Sequence, residues 1–168
     1  MSLSSAKWST ADINVLCLAP PWILIQRYHF RIIADRLPAE WLFPEVYANK
    51  HGVRIISNIL GPYPEVHFIR SNTLLATNER QQVHADIQFE HPEHPFAIAF
   101  NTCLVDVGPE NGTTELWLGT QNTNIDYHRE LGEPMIADKK LEERQIVRPP
   151  CYPHLKKGSI VLRDLRLW

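Results

Sequence analysis

The sequence predicts a mainly β protein, a sandwich or jelly roll carrying helices at its N-terminal end. From Val53 onward, short runs rich in Val, Ile, Leu, Phe and Thr alternate with Gly, Pro and Asn punctuation, the texture of repeated short strands rather than of a parallel α/β sheet. Ahead of them, between Trp22 and Leu37, apolar residues recur at three- and four-residue steps, the spacing of an amphipathic helix. The 168 residues, 44% hydrophobic and 21% charged, have the composition of a single soluble globular domain.

In the helical part, Ile23, Ile25, Phe30, Ile33, Ala34 and Leu37 form one face, with Arg27, Arg31 and Asp35 between them. Pro20-Pro21 opens this helix and Pro38 stops it, because proline suits a first helical turn and interrupts an interior. A second, shorter helix is expected from Glu40 to Asn49, closing at Gly52. The expected strands are Val53–Leu60, Val66–Ala76, Gln82–Phe89, Phe96–Val107, Thr113–Leu118, Gln145–Val147 and Ser159–Arg163. Breaks fall at Gly61-Pro62, His91-Pro92, Gly108-Pro109, Asn111-Gly112 and Gly158, and the stretch from Asn122 to Glu143 reads as a helical insertion. With no internal repeat or linker, residues 1–168 read as one domain, 1–52 helical and 53–168 a β-roll.

A formal net charge of -2 offers no electrostatic attraction to nucleic acid or to an anionic membrane. Three widely spaced cysteines, Cys17, Cys103 and Cys151, argue against a disulfide framework or a structural zinc site and for a reducing, cytoplasmic setting. The apolar stretch from Ile13 to Ile25 is broken by Pro20-Pro21 and too short to span a bilayer. Lys7 precedes it, yet no small-residue cleavage site follows cleanly.

The sharpest local signal is Gln81-Gln82-Val83-His84-Ala85-Asp86. On an extended backbone, alternate residues share a face, so His84 and Asp86 converge while Ala85 turns away. An imidazole and a carboxylate make up two-thirds of the 2-His-1-carboxylate triad, which leaves positions open on Fe(II) for a chelating co-substrate and dioxygen. The competing reading is a His–Asp hydrogen bond at a strand end.

Two further blocks follow in order: Asn111-Gly112-Thr113-Thr114-Glu115-Leu116-Trp117-Leu118-Gly119-Thr120, introduced by Gly108-Pro109-Glu110, and Lys157-Gly158-Ser159-Ile160-Val161-Leu162-Arg163-Asp164. Together the three blocks resemble the phytanoyl-CoA dioxygenase family of Fe(II)/2-oxoglutarate-dependent dioxygenases, over about Arg70 to Trp168. The resemblance implies a double-stranded β-helix, a cupin-like jelly roll with a metal inside one mouth. It also implies oxidation, by hydroxylation, of a small organic substrate, with Fe(II) and 2-oxoglutarate as cofactors. Residue by residue, it makes His84 and Asp86 metal ligands and puts Gln81 and Thr114 beside 2-oxoglutarate. Gln81 needs a bend at the strand end to join His84, and an ordinary strand residue after a turn is the rival reading of Thr114.

The chain departs from the family pattern in several places. The P-G-S-H-like position reads Leu118-Gly119-Thr120-Gln121, and the G-D pair reads Gly158-Ser159. Counted from Gly158, the distal histidine would be the residue after Trp168, and the arginine that grips 2-oxoglutarate would follow it. The expectation is therefore a domain with its last strands missing, an incomplete triad, impaired or absent turnover, and Trp168 at a frayed, exposed end. No other histidine stands in for the missing one: His154 precedes the turn glycine, His128 falls in the insertion, and His91 and His94 lie in a loop. His29, His51 and His67 precede the motif region. Two further readings stand beside the enzyme: a non-catalytic partner subunit of an intact homologous dioxygenase, and a cupin-like small-ligand binder in which His84 and Asp86 are structural.

Overall fold

In the computed structural model, which describes residues 8–18, 43–75, 80–87, 94–122, 127–130 and 133–168, a four-stranded antiparallel sheet organises the chain. Its strands are β1 (Trp8–Leu18), β2 (Glu65–Leu75), β3 (Ala97–Cys103) and β6 (Ile160–Asp164), in the order β2-β1-β3-β6. A hairpin pairs β4 (Tyr127–Glu130) with β5 (Glu133–Ile136). Three helices complete the set: α1 (Pro44–Tyr47), α2 (Lys50–Leu60) and α3 (Asp138–Val147).

The strands expected over 66–76, 96–107 and 159–163 correspond to β2, β3 and β6. The expected front helix over 22–37 lies outside the described residues. β1, in the part expected to be helical, is a strand paired with β2 on one side and β3 on the other; ladder bonds on both edges decide its conformation.

Residues 53–60, expected as a strand, form the body of α2. Val and Ile suggest a strand, but Gly52, Ile56 and Leu60 are buried at four-residue steps, which is helical periodicity. Asn49 caps this helix, its side chain accepting from the backbone N–H groups of His51 (3.0 Å) and Gly52 (3.4 Å). Gly61, at φ +104°, ends it. Gly52, expected to close a helix, lies in the first turn of this one.

Residues 145–147 are the last turn of α3 rather than a strand. The residues before them, Lys139 to Arg144, are strong helix formers, and α3 carries that preference through to Val147. Of the expected insertion helix over 122–143, residues 138–143 are helical as the start of α3, and the β4–β5 hairpin precedes them. Within the expected strands over 82–89 and 113–118, the described residues form single antiparallel bridges, His84 with Met135 and Leu116 with Cys151. Residues 88 and 89 lie outside the description.

Strand alternation divides the sheet into two faces. On the outer one, Ile98 and Phe100 of β3 join Ile56 and Leu60 of α2 in one core, with Ile69, Ile160 and Leu162 packed against it. On the inner face, Ala97 and Ala99 pack with Ala85, Ile87, Phe96, Trp117, Ile136, Leu165 and Trp168. The short bridged segments thus lie across the inner face as a partial second layer, and Cys103 is buried.

Trp168 does not fray. It is 8% exposed, its N–H donates to Thr120 Oγ1 (3.0 Å) and its carbonyl accepts from Trp117 N–H (3.0 Å). Thr120 in turn donates to the Trp117 carbonyl (2.8 Å). These bonds hold the end of the chain against the core and offset the loss of order expected there.

The closest packing lies between α2 and β3. A Cβ on Gly52 would stand 2.0 Å from Phe100 Cε2, so an alanine there forces the ring or the helix to move. Alanine in a helix ordinarily stabilises relative to glycine; here overpacking wins. Gly52→Ala is expected to destabilise the fold by about 1–3 kcal/mol, read as a lower urea midpoint, whereas a stabilised variant would show that α2 stands off the sheet.

Candidate functional site

Segment 80–87 crosses the inner side joined to β5 by a single bridge, and its burial alternates from His84 to Ile87. Val83 packs against the core, and Ala85 and Ile87 are buried in it. The residues in alternate phase, His84 and Asp86, therefore share the other side of the pleat. The Val83 carbonyl accepts from Ile136 N–H (2.9 Å), and the bridge from His84 to Met135 ties the segment to β5.

His84 Nε2 and Asp86 Oδ1 stand 3.7 Å apart, with side chains 34% and 29% exposed. That separation is longer than a hydrogen bond, so the strand-end His–Asp hydrogen bond is not made. His84 Nδ1 instead lies 2.9 Å from the Gln82 carbonyl oxygen, which can only accept. A proton therefore sits on Nδ1, and Nε2 is the ring nitrogen turned toward Asp86. A backbone carbonyl fixing one ring nitrogen while the other faces a carboxylate is the usual preparation of a metal-binding histidine.

The donor set fits a divalent first-row ion in chemistry. Cis donors on one ion with bonds near 2.1 Å stand roughly 3 Å apart, so the pair needs to close by less than an ångström. Among the described residues, no group of three or more His, Cys, Asp or Glu comes together to hold a metal.

Sequence reasoning passed over Arg163 as a site residue. It lies on β6 opposite Ala99, and its Nη2 donates to Asp86 Oδ2 in an ion pair. A charged residue in phase with Val161, directly after an apolar run, was the available signal. Arg163 also lines a cavity of about 40 Å³ between the inner face and the second layer, together with Asn101, Cys103, Thr113, Thr114 and Val161. Thr114 thus stands at the same cavity as the residue that grips Asp86. Gln81 is exposed and does not line that cavity.

The Asn-Gly block has a local cause. Asn111 Oδ1 accepts from Gly108 N–H (2.7 Å) and its amide donates to the Asp106 carbonyl (2.8 Å). Gly112 follows at φ +93°, a left-handed conformation that side chains resist. The turn delivers Thr113, whose hydroxyl donates to the Pro153 carbonyl (2.7 Å), and then Thr114 to the cavity wall.

Next to this block, Glu115 accepts from Arg80 Nε (2.9 Å), Trp117 Nε1 (2.7 Å) and the Tyr152 hydroxyl (3.2 Å). Partial burial pushes the Glu115 carboxyl up, but hydrogen bonds from Arg80 and Trp117, with the Arg80 charge, outweigh it and leave the pKa lowered. Burial and the Glu115 charge raise the Tyr152 pKa. A carboxylate with a lowered native pKa stabilises the fold above its unfolded pKa, and that contribution disappears as pH falls through the native value. Urea midpoints of the wild type are therefore expected to decline in the acid range below the ordinary glutamate value. Glu115→Gln should start lower at neutral pH and lose part of that decline. An identical acid profile in the variant would show that Glu115 is not a titrating element of stability.

A protein-family model described as Phytanoyl-CoA dioxygenase (PhyH) matches residues 55–168, more than half of the chain.

Proposed function

The chain belongs to the phytanoyl-CoA dioxygenase family, and from that premise we propose that it is an Fe(II)/2-oxoglutarate-dependent dioxygenase-like protein whose site hydroxylates a small organic substrate when a third protein donor completes it. The observation that carries this reading is the His84–Asp86 pair, with Nδ1 tied to a carbonyl and Nε2 left to face Asp86 Oδ1 at 3.7 Å. In this reading the sheet and its facing bridged segments are parts of the family's double-stranded β-helix.

Fe(II) bound there would supply activation of dioxygen coupled to oxidative decarboxylation of 2-oxoglutarate. The chain's own residues supply the rest. His84 offers Nε2, with Nδ1 held by the Gln82 carbonyl, and Asp86 offers Oδ1. Ala85, Ile87, Phe96 and Trp117 back the segment with apolar core, which keeps water from one side of the pair and strengthens its electrostatics. Thr114, on the wall of the cavity that Arg163 also lines, is assigned to the co-substrate, as is Gln81 from the exposed start of the segment. Turnover requires a third protein donor, which the described residues do not bring to the pair.

Anaerobic titration with Fe(II) tests the assignment. His84→Ala and Asp86→Ala should each weaken Fe(II) binding at least tenfold, roughly the lower bound for loss even of an outer-shell partner, and 2-oxoglutarate should tighten binding in the wild type alone. Equal Fe(II) affinity in all three proteins would remove the metal reading and leave the pair structural.

A further inference from the structure

The geometry points to Arg163 as the positioning residue of the metal site: by holding Asp86 Oδ2 it leaves Oδ1 as the single donor oxygen facing His84. This inference rests on the proposed metal reading of His84 and Asp86.

An aspartate carboxylate has two equivalent oxygens and a side chain that rotates freely unless something holds it. Here the oxygens have different partners. Oδ2 takes the Arg163 guanidinium, and Oδ1 faces His84 Nε2 at 3.7 Å. The Arg163 side chain is only 19% exposed, and it starts from the inner face of β6, a strand held to β3 along its length. The fork therefore reaches Asp86 from a rigid element rather than from a loop.

A planar guanidinium also sets the direction of the carboxylate it bonds, which an ammonium does not do as well. With Oδ2 engaged, coordination through Oδ1 alone is favoured over bidentate chelation, and positions that a second oxygen would fill stay open. The pair is partly exposed, at 19% for Arg163 and 29% for Asp86. Its effect falls on the direction and charge of one carboxylate.

The alternative physical role is competition. A cation on Asp86 repels an incoming divalent ion and would have to be displaced, in which case losing Arg163 tightens metal binding. Co(II) titration of the whole chain, followed by visible absorption, separates the two. Arg163→Met should weaken Co(II) binding by about 10–100-fold, the usual effect of removing a group that orients a ligand. Arg163→Lys should recover part of that loss. In metal-free protein, the ¹³C carboxylate resonance of Asp86 should move in Arg163→Met.

Unchanged or tighter Co(II) binding by Arg163→Met, with His84→Ala still weakened, would overturn the positioning role and leave the metal reading standing. Co(II) affinity indifferent to His84→Ala as well would overturn both. An Asp86 resonance that does not move in Arg163→Met would show that the ion pair is absent in solution and overturn the positioning role by itself. Should Arg163→Met fail to fold, Arg163→Lys carries the same comparison: Co(II) affinity between those of wild type and His84→Ala supports the role, and wild-type or tighter affinity overturns it.

Discussion

The site depends on one constraint, the two-residue period of a pleated segment whose alternate side chains are sunk in the core. Ala85 and Ile87 are buried against Ala97, Ala99 and Trp117, and a slip of one residue would put a histidine and an aspartate in their place. Burying those polar groups without partners costs several kcal/mol, on the order of 2–7 for a neutral group and more for a charge. The register of segment 80–87 is therefore held by what it buries, and the direction of His84 and Asp86 follows from it.

The sheet serves its two sides differently. The outer face is closed by α2, where Phe100 lies so near Gly52 that no side chain fits between them. The inner face passes from apolar residues at Ala97 and Ala99 to the cavity at Asn101 and Cys103, and Arg163 enters from β6 opposite Ala99. One strand, β3, thus carries a packed half and a polar half on the same face. The packed half anchors segment 80–87, and the polar half borders the space beside it. Thr120 joins Trp117 to Trp168 through two hydrogen bonds, so the residue found where the family pattern has serine is part of the core's framework.

The two faces explain which elements were legible in sequence. β2, β3 and β6 combine apolar β-branched runs with turn residues at both ends, and local preference agrees with the sheet. Residues 53–60 mislead because Val53, Ile55, Ile56 and Ile59 favour a strand by composition, while the burial of Ile56 and Leu60 against β3 selects a helix. Residues 145–147 mislead in the same way: Ile146 and Val147 look like a strand, yet both are exposed at the end of a helix set by the charged residues before them. The strand β1 was invisible because its conformation is supplied by two neighbours, one of them 79 or more residues away.

The family, the strand texture and the His-x-Asp spacing are legible along the chain, since each is written in residues close together. Tertiary structure alone decided that His84 donates to the Gln82 carbonyl instead of to Asp86, and that Arg163, distant along the chain, holds the second oxygen of that carboxylate. The reason is reach. Backbone alternation acts over two residues and can be read directly, whereas the partner of a buried or half-buried charge is chosen by whatever the packed fold brings within hydrogen-bond distance.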